Sequence, residues 1–157
     1  MFKDGQIEGV RILSLKRFSD ERGWLMELFR KDGLDEGSFP VMTYISMTRP
    51  DMKRGPHEHM EQTDYFCFTG RSVFKVYLWD NRPESETYGN KMEIVIGEDN
   101  PSIVIVPPRI VHGYKNIGES EGIIINCPNR LFKGWGKKES VDEVRYEDDI
   151  DSAYRLG

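Results

Sequence analysis

"RGPHEHMEQTDYFCFTG", residues 54–70, opens on an Arg-Gly-Pro turn, carries His57 and His59 two residues apart, and runs into an apolar stretch closed by Gly70. Side chains on a strand alternate with period two, so two imidazoles spaced this way point to one face together. The third and last histidine, His112, stands in "VPPRIVHGYKN", residues 106–116. A neighbouring strand in that half of the chain brings it alongside the first pair. Three imidazoles aimed into one interior suit either a metal ion or a general base.

Working outward, short β-rich runs separated by turns dominate. "VRILSLKRF" (10–18), "GWLMELFR" (23–30), "VMTYISMT" (41–48) and "DYFCFTG" (64–70) come first. "SVFKVYLWD" (72–80) sets Val73, Lys75, Tyr77 and Trp79 on one face and Phe74, Val76 and Leu78 on the other. "KMEIVIG" (91–97), "SIVIVP" (102–107), "VHGYKN" (111–116) and "GIIIN" (122–126) complete the series. About nine short strands at this spacing predict an all-β sandwich or barrel. The segment 137–157 reads as a charged, solvated tail with at most a helical turn or two in "KKESVDEVRYEDDIDSAY" (137–154). No repeat or linker interrupts the chain, so residues 1–157 are expected to form a single domain.

A chain of 157 residues is long enough to bury a proper core, and 38% hydrophobic with 31% charged residues is ordinary for a soluble protein. The net charge of −5 argues against nonspecific binding to nucleic acid or anionic membranes. It leaves room for an anionic small ligand held by a few arginines. Cys67 and Cys127 lie in apolar runs without a CxxC pattern and read as buried thiols of a reducing compartment. The start lacks a signal-peptide pattern and no apolar run approaches a membrane span, which predicts a cytoplasmic protein. "DNRPESETYG" (80–89) reads as a structural loop in which Asp80 and Arg82 pair, and Asp20, Arg22 and Gly23 as a tight turn.

The histidine spacing resembles the two cupin motifs: H-x-H followed by an acidic residue and a glycine, then P-x-G-x-x-H-x-x-x-N. "PPRIVHGYKN" (107–116) meets the second except that Arg109 replaces the glycine, and Thr63 or Asp64 stands where cupins often carry a glutamate ligand. That resemblance implies a double-stranded β-helix, or jelly roll, which agrees with the strand count. A narrower one spans nearly the whole chain. "FSDERGWLMELF" (18–29), "RGPHEH" (54–59), "LWDNRPESETYG" (78–89) and "VPPRIVHGY" (106–114) resemble, in order and spacing, the signature stretches of dTDP-4-dehydrorhamnose 3,5-epimerases.

The narrower resemblance implies a homodimer with exchanged strands, a nucleotide-sugar ligand and an isomerase of cell-surface polysaccharide synthesis. Such enzymes take a proton from the carbon beside the ketone of a dTDP-4-keto-6-deoxyhexose and return one on the other face. This needs a base, a group that stabilises the enolate, and an acid. His57 matches the base, with Asp148 or else Asp149 as its carboxylate support. Arg22 and Arg54 match arginines of the diphosphate or sugar, a role suited to bidentate guanidinium groups. Trp24 and Glu27 match residues near the nucleobase, and Ser46 and Thr48 match serines leading into the site. His112 is expected to line it.

Two positions depart from the family. Its ketone-polarising lysine aligns with Thr63, and its tyrosine acid falls in "NCPNRLF", where Phe132 is the nearest aromatic. No cofactor follows from the epimerase reading. The alternative is a divalent metal on His57, His59 and His112, which would make the chain a metal-dependent cupin of another reaction class. The two readings exclude each other at His57. A third leaves a noncatalytic nucleotide-sugar-binding relative.

Overall fold

The computed structural model describes residues 2–157. In chain order its strands are β1 (Lys3–Asp4), β2 (Arg11–Ser14), β3 (Arg17–Asp20), β4 (Gly23–Met26), β5 (Tyr44–Thr48), β6 (Lys53–Glu58), β7 (Asp64–Phe68), β8 (Phe74–Asp80), β9 (Asn90–Ile96), β10 (Ser102–Val106), β11 (Ile110–Asn116), β12 (Gly122–Asn126) and β13 (Val144–Arg145). One sheet has the order β1-β9-β8-β11-β6-β13, the other β2-β10-β7-β12-β5, and β3–β4 stand apart as a hairpin. Every pairing is antiparallel except β1 with β9. This is the expected all-β jelly roll.

The core lies between the two sheets, where Phe66, Phe68, Phe74, Val76, Leu78, Val104, Ile110, Tyr114 and Ile124 meet. Alternation alone would leave the other face of each strand in water, yet β7 and β10 are buried at every position. The central strands of both sheets are covered outside as well as inside. Tyr65, Cys67, Ile103 and Ile105 turn outward onto Leu15, just before the hairpin, and onto Met26, Leu28 and Leu34, from the hairpin and the segment that follows it. Tyr77, Trp79 and Val111 turn outward under Leu156, Tyr146 and Tyr154 from the C-terminal segment. Each fully buried large apolar side chain contributes about 1.5–3 kcal/mol by leaving water.

The C-terminal segment is therefore structural, which corrects its reading as a solvated tail. Its apolar residues 146, 154 and 156 are spread too thinly among charges to show a period, but each lands on the outer sheet face. A second correction concerns 10–18, which is two strands. Leu15 dips into the outer cluster, and the chain turns there from the β10 edge into the hairpin. The two cysteines are buried thiols, as their apolar settings imply.

Candidate active site

A cavity of about 610 Å³ opens between the sheets and is lined by His57 and His59, by Tyr44 and Ser46 of β5, by Arg54, Phe66 and Tyr114, and by Glu143. The strand ladder builds it. His57 on β6 stands opposite His112 on β11, and their rings lie 4.6 Å apart. This close approach requires Gly55, at φ 80°, because a Cβ there would meet the carbonyl oxygen of His112 at 2.7 Å. His59 follows directly after β6, 5.5 Å from His57 and 6.0 Å from His112 between ring centres. One nitrogen of each imidazole lies within 4.8 Å of the others. The three histidines converge as the alternation argument requires.

Their surroundings differ. The His59 Nδ1–H donates to the carbonyl of Asp142, and the His112 Nδ1–H donates to that of Ile110 at 2.9 Å. Asp64 presents Oδ2 to both rings, 3.4 Å from His59 Nε2 and 3.2 Å from His112 Nε2. Its Oδ1 accepts from Gln62 and Asn126, each at 2.8 Å. Burial pushes the Asp64 carboxyl up, but His112, His59 and Asn126 outweigh it and hold it down to about 2. His57 is pushed down to about 2, first by burial and then by the neighbouring imidazoles. The same burial disfavours the imidazolium, so its strength as a base depends on a carboxylate beside it.

The carboxylate beside His57 is Glu143, whose Oε1 lies 3.8 Å from Nδ1. Asp148 and Asp149 are exposed on the surface, which corrects their assignment as the histidine's support. The reason is local. The Asp142 carboxylate accepts the backbone N–H groups of Met60, Glu61 and Gln62 at 3.1, 3.0 and 3.0 Å, and β13 then pairs along β6. That clamp carries Glu143 to the site and leaves 148 a turn beyond it.

Arg54 lines the cavity and is held by Thr48 Oγ1 at 3.1 Å and the Met47 carbonyl at 2.9 Å. Thr48 is itself buried, so it supports the arginine from behind the wall. Ser46 Oγ lies 3.2 Å from Tyr114 Oη. Thr63 does not line the cavity. Its neighbours Gln62 and Asp64 take the inward positions, and position 63 lies between them on the alternating backbone. Phe132 does line it.

Two inward tyrosines escaped the sequence reading. Tyr44 shares its strand face with Ser46, a signal legible from period two, and Tyr114 directly follows Gly113 in the second motif. The Tyr44 hydroxyl accepts from Asn126 at 2.8 Å, and burial followed by the Asp64 charge pushes its pKa up. Burial also raises Tyr114.

Arg22, Trp24 and Glu27 are not brought to the cavity. They sit on the exposed hairpin and the turn after it, where Arg22 pairs with Asp20 and Glu27 with Arg30. Gly23 at φ 131° closes the hairpin turn.

A family profile for dTDP-4-dehydrorhamnose 3,5-epimerase matches residues 4–149. The chain belongs to this dTDP-sugar epimerase family. An epimerase relative from Haloferax volcanii, described as the probable low-salt glycan biosynthesis epimerase Agl13, is 38% identical over 88% of this chain and 86% of its own length. The spore coat polysaccharide biosynthesis protein SpsL of Bacillus subtilis is 35% identical over 76% of this chain and 78% of its own. Among solved epimerase structures, a dTDP-6-deoxy-D-glucose-3,5-epimerase from Legionella pneumophila in complex with dTDP-4-keto-L-rhamnose superposes with a TM-score of 0.74. That likeness has 19% identity and covers 98% of this chain and 82% of the other. It carries the fold. No helix among the described residues is long and apolar enough to cross a membrane.

Proposed function

We propose that this chain is a nucleotide-sugar epimerase of polysaccharide synthesis acting on a dTDP-4-keto-6-deoxyhexose. The observation that carries the reading is geometric: His57 lines the cavity wall, and Glu143 Oε1 lies 3.8 Å from its Nδ1. His57 takes the proton beside the ketone, and the Glu143 carboxylate supports the imidazolium that forms, as in other carboxylate–histidine pairs. Tyr44, whose oxygen accepts from Asn126, gives its own O–H proton to the opposite face, and the tyrosinate regains one from solvent as the His57 imidazolium loses its own. Arg54 binds the diphosphate or sugar, since its guanidinium is already oriented by Thr48 and Met47.

The working unit in this reading is a homodimer. Phe18, Trp24 and Leu25 on the hairpin and Ile45 and Met47 on β5 leave much apolar surface exposed. A second copy would cover it, and would receive Arg22, Trp24 and Glu27 at its own cavity mouth.

The test is solvent deuterium exchange at the carbon beside the ketone of a dTDP-4-keto-6-deoxy sugar, followed by NMR. Wild type is expected to exchange and His57→Ala to lose at least about 10²-fold. Wild-type protein that binds dTDP without any exchange would leave only the binding relative.

A further inference from the structure

The base, the acid and the diphosphate anchor each have a residue. The oxygen that turns into an enolate when the neighbouring carbon loses its proton has none. Thr63, at the position of the family's lysine, does not line the cavity. Several lining donors are already engaged or stand in water. Lys53 donates to the Leu156 carbonyl at 2.6 Å and Gln62 to Asp64 at 2.8 Å. Lys137 and Arg145 are exposed. A donor aimed at developing charge acts most strongly where water is excluded and nothing has to move.

Tyr114 meets both conditions. It is only 6% exposed and yet lines the cavity. Phe66, Phe68 and Phe74 meet its ring at 74°, 87° and 87°, edge against face, which fixes the direction of the hydroxyl. β11 pairs with β8 without interruption, so Tyr114 shares the inward face of His112. On β6, His57 stands opposite His112 and Arg54 opposite Tyr114. Strand positions two residues apart lie about 7 Å from each other. A ketone oxygen and its neighbouring carbon bridge that span with one contact at each end. Ser46 Oγ, 3.2 Å from Tyr114 Oη, has a proton of its own to give, so the pair can be satisfied with the phenol proton turned to the cavity. Burial pushes the phenol pKa up, while Ser46, Arg54 and Thr48 favour negative charge on its oxygen, the direction that strengthens a donor.

We propose that Tyr114 is the catalytic donor to the ketone oxygen and holds the enolate by its O–H, an assignment that rests on the epimerase reading. His57 takes the proton through Nε2, because its Nδ1 faces Glu143. The C–H electron pair becomes the carbon–carbon double bond, and the π pair of the ketone moves onto oxygen. There the Tyr114 O–H donates a hydrogen bond and keeps its proton. When Tyr44 protonates the carbon from the other face, the pair returns and the C=O re-forms. A neutral phenol in a water-excluded wall thereby takes the place of an ammonium.

Tyr114→Phe keeps the packed ring and removes only the donor. Its kcat for solvent deuterium exchange should fall about 10²- to 10³-fold, the scale of one lost oxyanion donor. KM and dTDP affinity should stay close to wild type. Exchange at the wild-type rate would overturn the assignment, and so would a loss confined to KM, which marks a binding contact. A second measurement needs no turnover. A dTDP-4-keto-6-deoxy sugar carrying ¹³C at the ketone is bound to His57→Ala and to His57→Ala/Tyr114→Phe, and its infrared carbonyl stretch is read in each. The stretch should lie lower in His57→Ala, because a hydrogen bond weakens the C=O. Equal frequencies would overturn the donor. A lower stretch in His57→Ala, with a wild type that exchanges no deuterium, would remove the epimerase reading and leave Tyr114 as the hydrogen-bond donor to the ketone.

Discussion

The motifs around His57 and those around Arg22 are equally plain in the sequence, yet their surroundings are opposite. His57, His59 and His112 meet inside one jelly roll, on strands that pair directly. Arg22, Trp24 and Glu27 ride a hairpin whose tip faces solvent, with Arg22 84% exposed in its side chain. A histidine pair is brought together by the ladder of its own chain. A hairpin that closes on itself can only serve a site by reaching another surface. The lesson is that motif and address are separate, and that packing within one chain supplies the address for the first region alone.

The sharpest way to break this contrast is at the carboxylates. Glu143→Gln should lower the deuterium exchange rate by about 10²-fold, since a neutral amide no longer supports an imidazolium. Asp148→Asn, on the exposed side, should exchange at the wild-type rate. The reverse result would return the support to Asp148 and require the segment after β13 to move.

Next in size is the reach of the hairpin. Arg22→Ala should weaken dTDP binding about 10-fold, the scale of one charge-assisted hydrogen bond. Calorimetry measures it. At limiting substrate, mixing Arg22→Ala with His57→Ala should restore exchange, because a mixed dimer then owns one site with both residues. No recovery after subunit exchange, or a monomer in sedimentation at micromolar concentration, would confine each hairpin to its own chain.

The two Asp-x-Arg turns give the smallest test and compare like with like. Asp80 is buried and accepts from Arg82 Nε at 2.8 Å, Ser85 at 2.7 Å and Thr87 at 2.6 Å. Burial pushes its carboxyl up, but these donors outweigh burial and hold it well below the usual carboxylate range. Its folded pKa is depressed, so the stability it contributes is full above about pH 4, the unfolded carboxylate value, and is lost as pH falls below it. Asp80→Asn should cost about 1–3 kcal/mol at pH 7 by urea unfolding, and the gap to wild type should narrow toward pH 3. Asp20→Asn in the exposed turn should leave the urea midpoint unchanged. Equal effects at the two turns would mean that the hairpin is as well anchored as the loop after β8.

Period two and turn spacing made the all-β fold legible, together with the shared face of His57 and His59, the inward side of "SVFKVYLWD" and the Asp80–Arg82 pair. These are local properties, carried by residues a few positions apart. The residues missed depend on distant segments. Glu143 reaches His57 only because Asp142 clamps the turn after His59, more than eighty residues away in sequence. No periodicity announces such a contact.

The sequence by itself determined which side chains share a strand face, and so which of them could enter the interior. Tertiary structure alone decided what meets there. It chose Asp64 over Thr63 as the residue beside the histidines, Glu143 over Asp148 as the neighbour of His57, and the outside of the sheet for the hairpin. The physical reason is that alternation is set by backbone geometry one residue at a time. The meeting of remote side chains is set by how the outer faces of both sheets are covered, which only the whole packed chain can satisfy.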